Sequence, residues 1–317
     1  TMADTNTVFN YPGVYEAAGR VVSPSGGQVV FVGTGAQVNI LGQTGEAIAS
    51  RVYGSVNQAL ASCVTGRGDW IYLLPGYTES ISAADAWSNL AATDVTVCGL
   101  GRNTNRPAIT WTAAASTVLF DTANFRLLNC QLFLAGPHAA GSALTVAAPI
   151  TVSAAGCEIS DCRIFWGFDA DQIVTIGITT TAAADDFAFH RNYCRAETAA
   201  VPTTTFMRLV GADYMQMFDT KIQGPGSTTT LGPVQFLTTA SLGLDWRRCI
   251  IQNQLASSVH AVTGLAGLTG TAHQCGWGIL DNATLAGFVT PGNMQFFACY
   301  TANDNGEEGA LMTPVSA

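Results

Sequence analysis

One phrase recurs along the middle of the chain, with side chains of buried type at n, n+2, n+5 and n+7. Phe125, Leu127, Cys130 and Leu132 state it first. Cys157, Ile159, Cys162 and Ile164 repeat it, followed by Phe187, Phe189, Asn192 and Cys194, and by Met215, Met217, Thr220 and Ile222. Leu242, Leu244, Arg247 and Cys249 fit it more loosely. The starts lie 32, 30, 28 and 27 residues apart. A period in this range means that each unit cannot bury its apolar side alone and must stack on the next. The chain is thereby restricted to a solenoid or a related array.

The n, n+2 alternation is the period of a strand, and the three-residue step from n+2 to n+5 breaks it. The break reads as a corner, and the residues there are turn formers: Asn129, Ser160 and Asp161, Arg191 and Asn192. A further strand is expected in each period, at residues 143–146, 172–176, 206–210 and 234–238. Gly-, Thr- and Pro-rich stretches flank these runs, with no helix between them. Three short strands per period make one coil of an all-β, right-handed parallel β-helix, with coils stacked about 4.8 Å apart. Phe125, Cys157, Phe187, Met215 and Leu242 are expected to stack in one buried row. Leu132, Ile164, Cys194, Ile222 and Cys249 should form another.

Backwards, Val95, Val97 and Leu100 extend the register by one coil. Forwards, Trp277, Ile279 and Asn282 fit loosely, and Met294, Phe296 and Cys299 follow after 17 residues. These last segments read as a terminal cap, because an open solenoid edge would polymerise. At the other end, Val56, Ala59, Leu60 and Cys63 have helical spacing, which predicts a short cap helix over 55–63. A turn at 66–69 and a strand at 70–74 follow. Residues 1–50 do not obey the repeat and read as a turn-rich arm with strands at 29–32 and 38–41. The expected organisation is an arm or attachment segment over 1–50, a parallel β-helix over 51–275, and a C-terminal cap and tail over 276–317.

Charged residues make up only 11% of the chain, and the net charge is −9, with Lys221 the single lysine beside twelve arginines. Nucleic-acid wrapping needs a basic face, which this balance does not supply. No apolar run approaches the length of a membrane span, and no basic-then-apolar leader opens the sequence. The nine cysteines include no CxxC pair. Cys130, Cys157, Cys162, Cys194 and Cys249 fall on positions of the phrase. They read as small buried hydrophobes in a chain that folds in a reducing compartment, with disulfides between successive coils as the alternative.

Carbohydrate-cleaving sites on β-helices need two or three acids, often with Arg or His, on neighbouring coils. The candidates are Asp169 with Asp171, Asp185 and Asp186 with His190 and Arg191, and Asp161 with Arg163. Asp161, Asp185 and Asp186 fall where turns are expected, and turn chemistry accounts for them. His138, His190, His260 and His273 show no metal-ligand spacing. No catalytic, cofactor-binding or metal site is therefore assigned. Arg67-Gly68-Asp69 spells an adhesion tripeptide but sits in the turn before a strand.

The stretch from Thr65 to Glu79, with its strand and Pro75-Gly76 turn, leads into residues 95–101, Asn105-Arg106-Pro107 and 109–112. This opening resembles pectin-lyase-like β-helix proteins and, more closely, β-helical structural proteins of tailed bacteriophages. Stretches at 148–156, 169–172, 182–186 and 235–239 are similar too, so the likeness runs from about residue 50 to the end. It implies a non-enzymatic virion protein: a capsid decoration, cement or head-fibre subunit, assembled in the host cytoplasm. The implied partners are the major capsid protein and two further copies of the chain in a homotrimer, without nucleic acid or membrane. A tailspike-type glycan-binding or depolymerase protein is the alternative.

Overall fold

The fold is described from a computed structural model, which covers residues 15–17, 20–22, 26–34, 51–134, 144–166, 172–196, 205–224, 231–254, 260–279, 288–302 and 310–311. It is a parallel β-solenoid with three faces. The first face has eleven strands. From one end these are Val52–Tyr53, Val29–Val32, Trp70–Leu73, Thr96–Gly99, Arg126–Leu128, Glu158–Ser160, Ala188–His190, Gln216–Phe218, Leu244–Arg247, Thr269–His273 and Asn293–Phe297. The second face has ten, from Thr78–Ile81 to Ala310–Leu311, and the third has seven, from Val118–Phe120 to Phe288–Val289. Seven third-face strands close seven three-sided coils.

Two rows of left-handed residues turn the chain at its corners. Asp94, Asn124, Gly156, Asp186, Tyr214 and Gly243 precede the first-face strands, each with φ between 56° and 69°. Asn129, Asp161, Arg191, Asp219, Arg248, Gln274 and Ala298 occupy n+4, each with φ between 50° and 56°. The three-residue step in the phrase is this second corner. One left-handed residue reverses the pleat, so n+5 and n+7 again point inward.

Inside, equivalent residues stack in register. One row runs Val97, Leu127, Ile159, Phe189, Met217, Trp246, Ala272, Phe296. Another runs Ile109, Leu132, Ile164, Cys194, Ile222, Ile251, Trp277, Thr301. All are buried. Each large aliphatic member contributes roughly 1.5–3 kcal/mol through burial.

The fifth phrase is two residues out of register in the sequence reading. Its anchors are Leu244, Trp246, Cys249 and Ile251, since Met217 pairs with Trp246 and Ile222 with Ile251. Leu242 is 44% exposed and lies outside the core. Gly243 takes the left-handed corner at φ 66°, and the phrase starts only after it. Cys249 accordingly joins Cys130, Cys162, Asn192 and Thr220 at n+5, not the row of Leu132.

Within the segment expected as cap and tail, 276–317, the described strands up to Ala302 continue the coils. Asn293–Phe297 and Tyr300–Ala302 extend the first and second faces in parallel register. The coil before them shows no phrase in the sequence, because Gly270 and Ala272 stand at n and n+2. A Cβ at Gly270, where φ is 141°, would run into the Leu244 carbonyl. Trp246, Trp277, Phe288 and Phe296 fill the core at this end, with ring centroids 5.5–6.0 Å apart where they touch. Bulk is conserved across neighbouring coils, not within each one. Ala310–Leu311 then covers the outer edge of the second face by pairing antiparallel with Tyr300 and Thr301.

Coiling also begins earlier than residue 51. Val29–Val32 pairs in parallel with Trp70–Leu73 and with Val52–Tyr53. Residues 38–41 and Asn282 lie outside the described residues. Leu100 is buried, but on the outer side of the first face with Val29, Phe31, Tyr72 and Leu74. Leu144–Val146 and Gln172–Val174 pair with each other in a separate two-stranded sheet. In those coils the third face takes Ile150–Val152 and Ile176–Thr180 instead. The cap helix runs over Val56–Leu60, with the Ser55 hydroxyl accepting the Gln58 N–H and Val56, Ala59 and Leu60 turned inward. No helix among the described residues is long and apolar enough to cross a membrane.

Candidate interaction surface

The n+5 corner carries a polar ladder inside the wall. Asn192 Nδ2 donates to the Ile159 carbonyl at 2.8 Å, and Thr220 Oγ1 donates to Phe189 at 3.1 Å. The thiols of Cys249 and Cys299 reach Met217 and Ala272 in the same way, at 3.1 and 3.2 Å. Each side chain thus ties its coil to the n+2 carbonyl of the coil before. All nine cysteines are free thiols. Burial pushes Cys63 and Cys98 up to about 12, and it raises Cys130 and Cys194 well above the usual thiol range. These are packing and ladder groups, not nucleophiles.

The n+4 corner carries a second ladder, on the outside. Arg191 makes a bidentate pair with Asp161 at 2.8 and 2.7 Å, and Arg248 makes one with Asp219 at 2.6 and 2.7 Å. Acid and base alternate from coil to coil. The hydrogen bonds from Arg248 hold the Asp219 carboxyl below its usual range. Beside this corner, the outer first-face row runs His190, Phe218, Arg247, His273, Phe297. His190 stacks on Phe218 with centroids 4.6 Å apart, Arg247 lies 5.1 Å from the Phe218 centroid, and His273 stacks on Phe297 at 4.6 Å. Burial holds His190 below the ordinary imidazole range. Each imidazole thus covers one face of a phenyl ring.

The sequence candidates separate in space. Asp161 pairs with Arg191, and Arg163 lies on the second face. Asp185 accepts the Asp213 N–H at 3.0 Å, and Asp186 is the left-handed corner residue before Phe187. His190 is occupied in the aromatic row. Asp169, Asp171 and His138 lie outside the described residues. No group of three His, Cys, Asp or Glu side chains among the described residues could hold a metal ion.

Two acids that the sequence offered as no candidate, Asp69 and Glu79, are the most buried among the described residues. Asp69, 1% exposed, accepts hydrogen bonds from the Gln28 and Val64 N–H groups and from Arg67. Burial alone would raise its pKa; the Arg67 and backbone donors outweigh that and hold it below the usual range. The carboxylate of the adhesion-like tripeptide is therefore turned inward as a strap. Glu79 heads the inner row above Ile109, under the cap helix. It accepts the Val56 N–H at 3.3 Å and a short hydrogen bond from Tyr77. Burial raises its pKa, as a general acid requires, but at 8% exposure it faces no groove.

The outer second face differs from the first. Arg163, Tyr193, Lys221 and Ile250 follow one another in a single row on four consecutive coils. Tyr193 and Ile250 are each 37% exposed, and neither Arg163 nor Lys221 has a carboxylate partner among the described residues. Comparison with protein families, with curated proteins and with solved structures finds no match to this chain.

Proposed function

We propose that the chain is a non-enzymatic structural protein of a tailed-phage virion. In this reading it is a capsid decoration or cement subunit, or a head-fibre subunit, held on the major capsid protein as a homotrimer. The resemblance carried by residues 65–79 and 95–112 motivates this reading. The observation that favours it most is the use made of charge. At the n+4 corner and on the first face beside it, three carboxylates are held by guanidiniums of the same or the next coil: Asp161 by Arg191, Asp219 by Arg248 and Asp245 by Arg247. Ion pairs of this kind brace a wall and take these three carboxylates out of proton transfer.

The test adds purified protein to shells that lack it and images the particles. Occupancy on the shell supports the proposal, and occupancy on the tail alone overturns it. A deletion probing the arm ends at residue 25, because Val29–Val32 is a strand of the first face. A tailspike-type glycan-binding or depolymerase protein is the second reading, favoured by the open row of Arg163, Tyr193 and Lys221. Release of reducing or unsaturated sugars, lost in the double variant Asp185→Asn, Asp186→Asn, would select its depolymerase form.

A further inference from the structure

We infer that Cys275 and Cys299 are a modification site: a low-molecular-weight disulfide oxidises the two thiols to a disulfide that clamps the last coil to the one before it. The n+5 ladder supplies the geometry. Cys249, Cys275 and Cys299 stand at n+5 on three successive coils, because Ile250 pairs with Gly276 and Gly276 with Tyr300. All three are buried. Residues in register on neighbouring coils have Cα atoms about 4.8 Å apart. That falls within the roughly 4.4–6.8 Å that a disulfide spans. Cys275 also departs from the ladder's rule. Cys249 and Cys299 each donate to the n+2 carbonyl of the coil before. The Cys275 thiol reaches His273 of its own coil at 3.4 Å and touches both neighbouring thiols. Its backbone N–H donates to the Cys299 sulfur, 3.4 Å away.

Place in the fold decides which pair reacts. Cys130 and Cys162 are in register too, since Gln131 pairs with Arg163. Their coils lie inside the stack, with Arg126–Leu128 and Glu158–Ser160 each paired on both edges. Asn293–Phe297 is instead the end strand of the first face, paired among the described strands only with Thr269–His273. Beyond Tyr300–Ala302 the second face has only Ala310–Leu311. The coil holding Cys299 therefore opens at a lower free energy than the coils of Cys130 and Cys162. In the closed wall the site is inert. The hydrogen bond to Cys249, with burial, pushes the Cys275 thiol up to about 12.

Opening of the last coil returns Cys299 to water and to ordinary thiol acidity. Its thiol loses a proton to water, and the thiolate attacks one sulfur of the small disulfide. That S–S bond breaks, and one half leaves as a thiolate. Cys275, deprotonated in the same way, attacks the Cys299 sulfur of the mixed disulfide and expels the second half. Two protein thiols give up two electrons and two protons, and one small disulfide is reduced to two thiols. The consequence for a virion rests on the reading above. A chain that winds in a reducing cytoplasm keeps its end coil free to dock, and the clamp sets once the particle has left that compartment.

The test incubates the full chain, purified under reductant and then freed of it, with oxidised glutathione at pH 8. Intact mass and peptide mapping without reduction follow the product. It should lack two hydrogens, carry no glutathione, link Cys275 to Cys299, and take up two fewer labels than the nine of the reduced chain once denatured. Amide exchange in Asn293–Phe297 should slow about a hundredfold, because a bond between residues 24 apart restricts the open state. Dithiothreitol should restore the original rate. Cys299→Ser should abolish both changes and Cys249→Ser should leave them. The wild-type map decides the matter even where a variant folds poorly. Nine free thiols after prolonged incubation overturn the proposal. A bond joining Cys130 to Cys162 or Cys249 to Cys275 overturns it too, as does glutathione held on Cys63 or Cys98 with Cys275 and Cys299 still reduced. The chemistry is read on purified protein and shell binding is scored separately, so the failure of one leaves the other standing.

Discussion

The Oδ1 of Asn192 accepts the backbone N–H of Cys162, one coil earlier, at 2.9 Å. The same amide donates to Ile159, so one side chain closes two backbone groups that the corner would otherwise leave open inside the wall. Asn192→Ala strands both, and each buried unpaired group costs about 1–3 kcal/mol. A urea titration should show the midpoint falling with the slope unchanged. Asn192→Thr should recover part of the loss, because Thr220 performs this task one coil later.

Ile164 is fully buried between Leu132 and Cys194. Ile164→Ala should cost roughly 2–5 kcal/mol, since a stacked wall cannot collapse into the gap from above or below. Ile164→Asp would bury an unpaired charge and should prevent folding near neutral pH, read as loss of soluble protein and of the β-sheet circular dichroism signal.

Glu79 has its carboxyl raised, chiefly by burial under the cap helix. A group raised in the folded state contributes stability below its unfolded pKa and loses it as pH rises through the folded one. The protein should therefore lose stability from this site as pH rises above the ordinary carboxyl range. Glu79→Gln keeps an acceptor for Val56 and Tyr77 and removes the charge. It should be the more stable form at neutral pH, with the gap closing on acidification, as followed by melting temperature.

Asp69 has the opposite sign, because its carboxyl is depressed in the folded state. Its stability is present above the unfolded carboxyl pKa and is lost as pH falls through the folded one. Asp69→Ala leaves the Gln28 and Val64 N–H groups and Arg67 without their acceptor and should cost roughly 3–5 kcal/mol. Hydrogen exchange should show strand Val29–Val32 losing protection first, since the Gln28 N–H that leads into it is fixed by Asp69.

Thiol labelling should report the packing. Denatured without reductant, the protein should take up nine labels, one per free cysteine. In the folded protein only Cys63 and Cys98 are partly exposed. Burial has pushed both up to about 12, so even these should react slowly at pH 8. A deficit of two or four labels in the denatured protein would reveal disulfides between coils.

The repeat was legible because a β-coil needs inward side chains at a spacing set by backbone geometry alone. Any chain with Phe125, Leu127, Cys130 and Leu132 in that pattern, restated at Cys157 and Phe187, has little choice but to stack. The corner was legible for the same reason, as Asn129 and Asp161 tolerate the left-handed backbone. What only the tertiary structure decided lay between coils. Leu242 looked like an anchor until Gly243 took the corner, and Gly270 and Ala272 looked like a gap until Trp246 and Phe296 filled it. Asp161 finds Arg191 on another coil, Asp69 reaches Gln28 at the start of the arm strand, and Glu79 reaches Val56 of the cap helix. A sequence displays the period that each coil obeys; it does not display volume or charge shared between coils, because those belong to residues that meet only once the chain has wound.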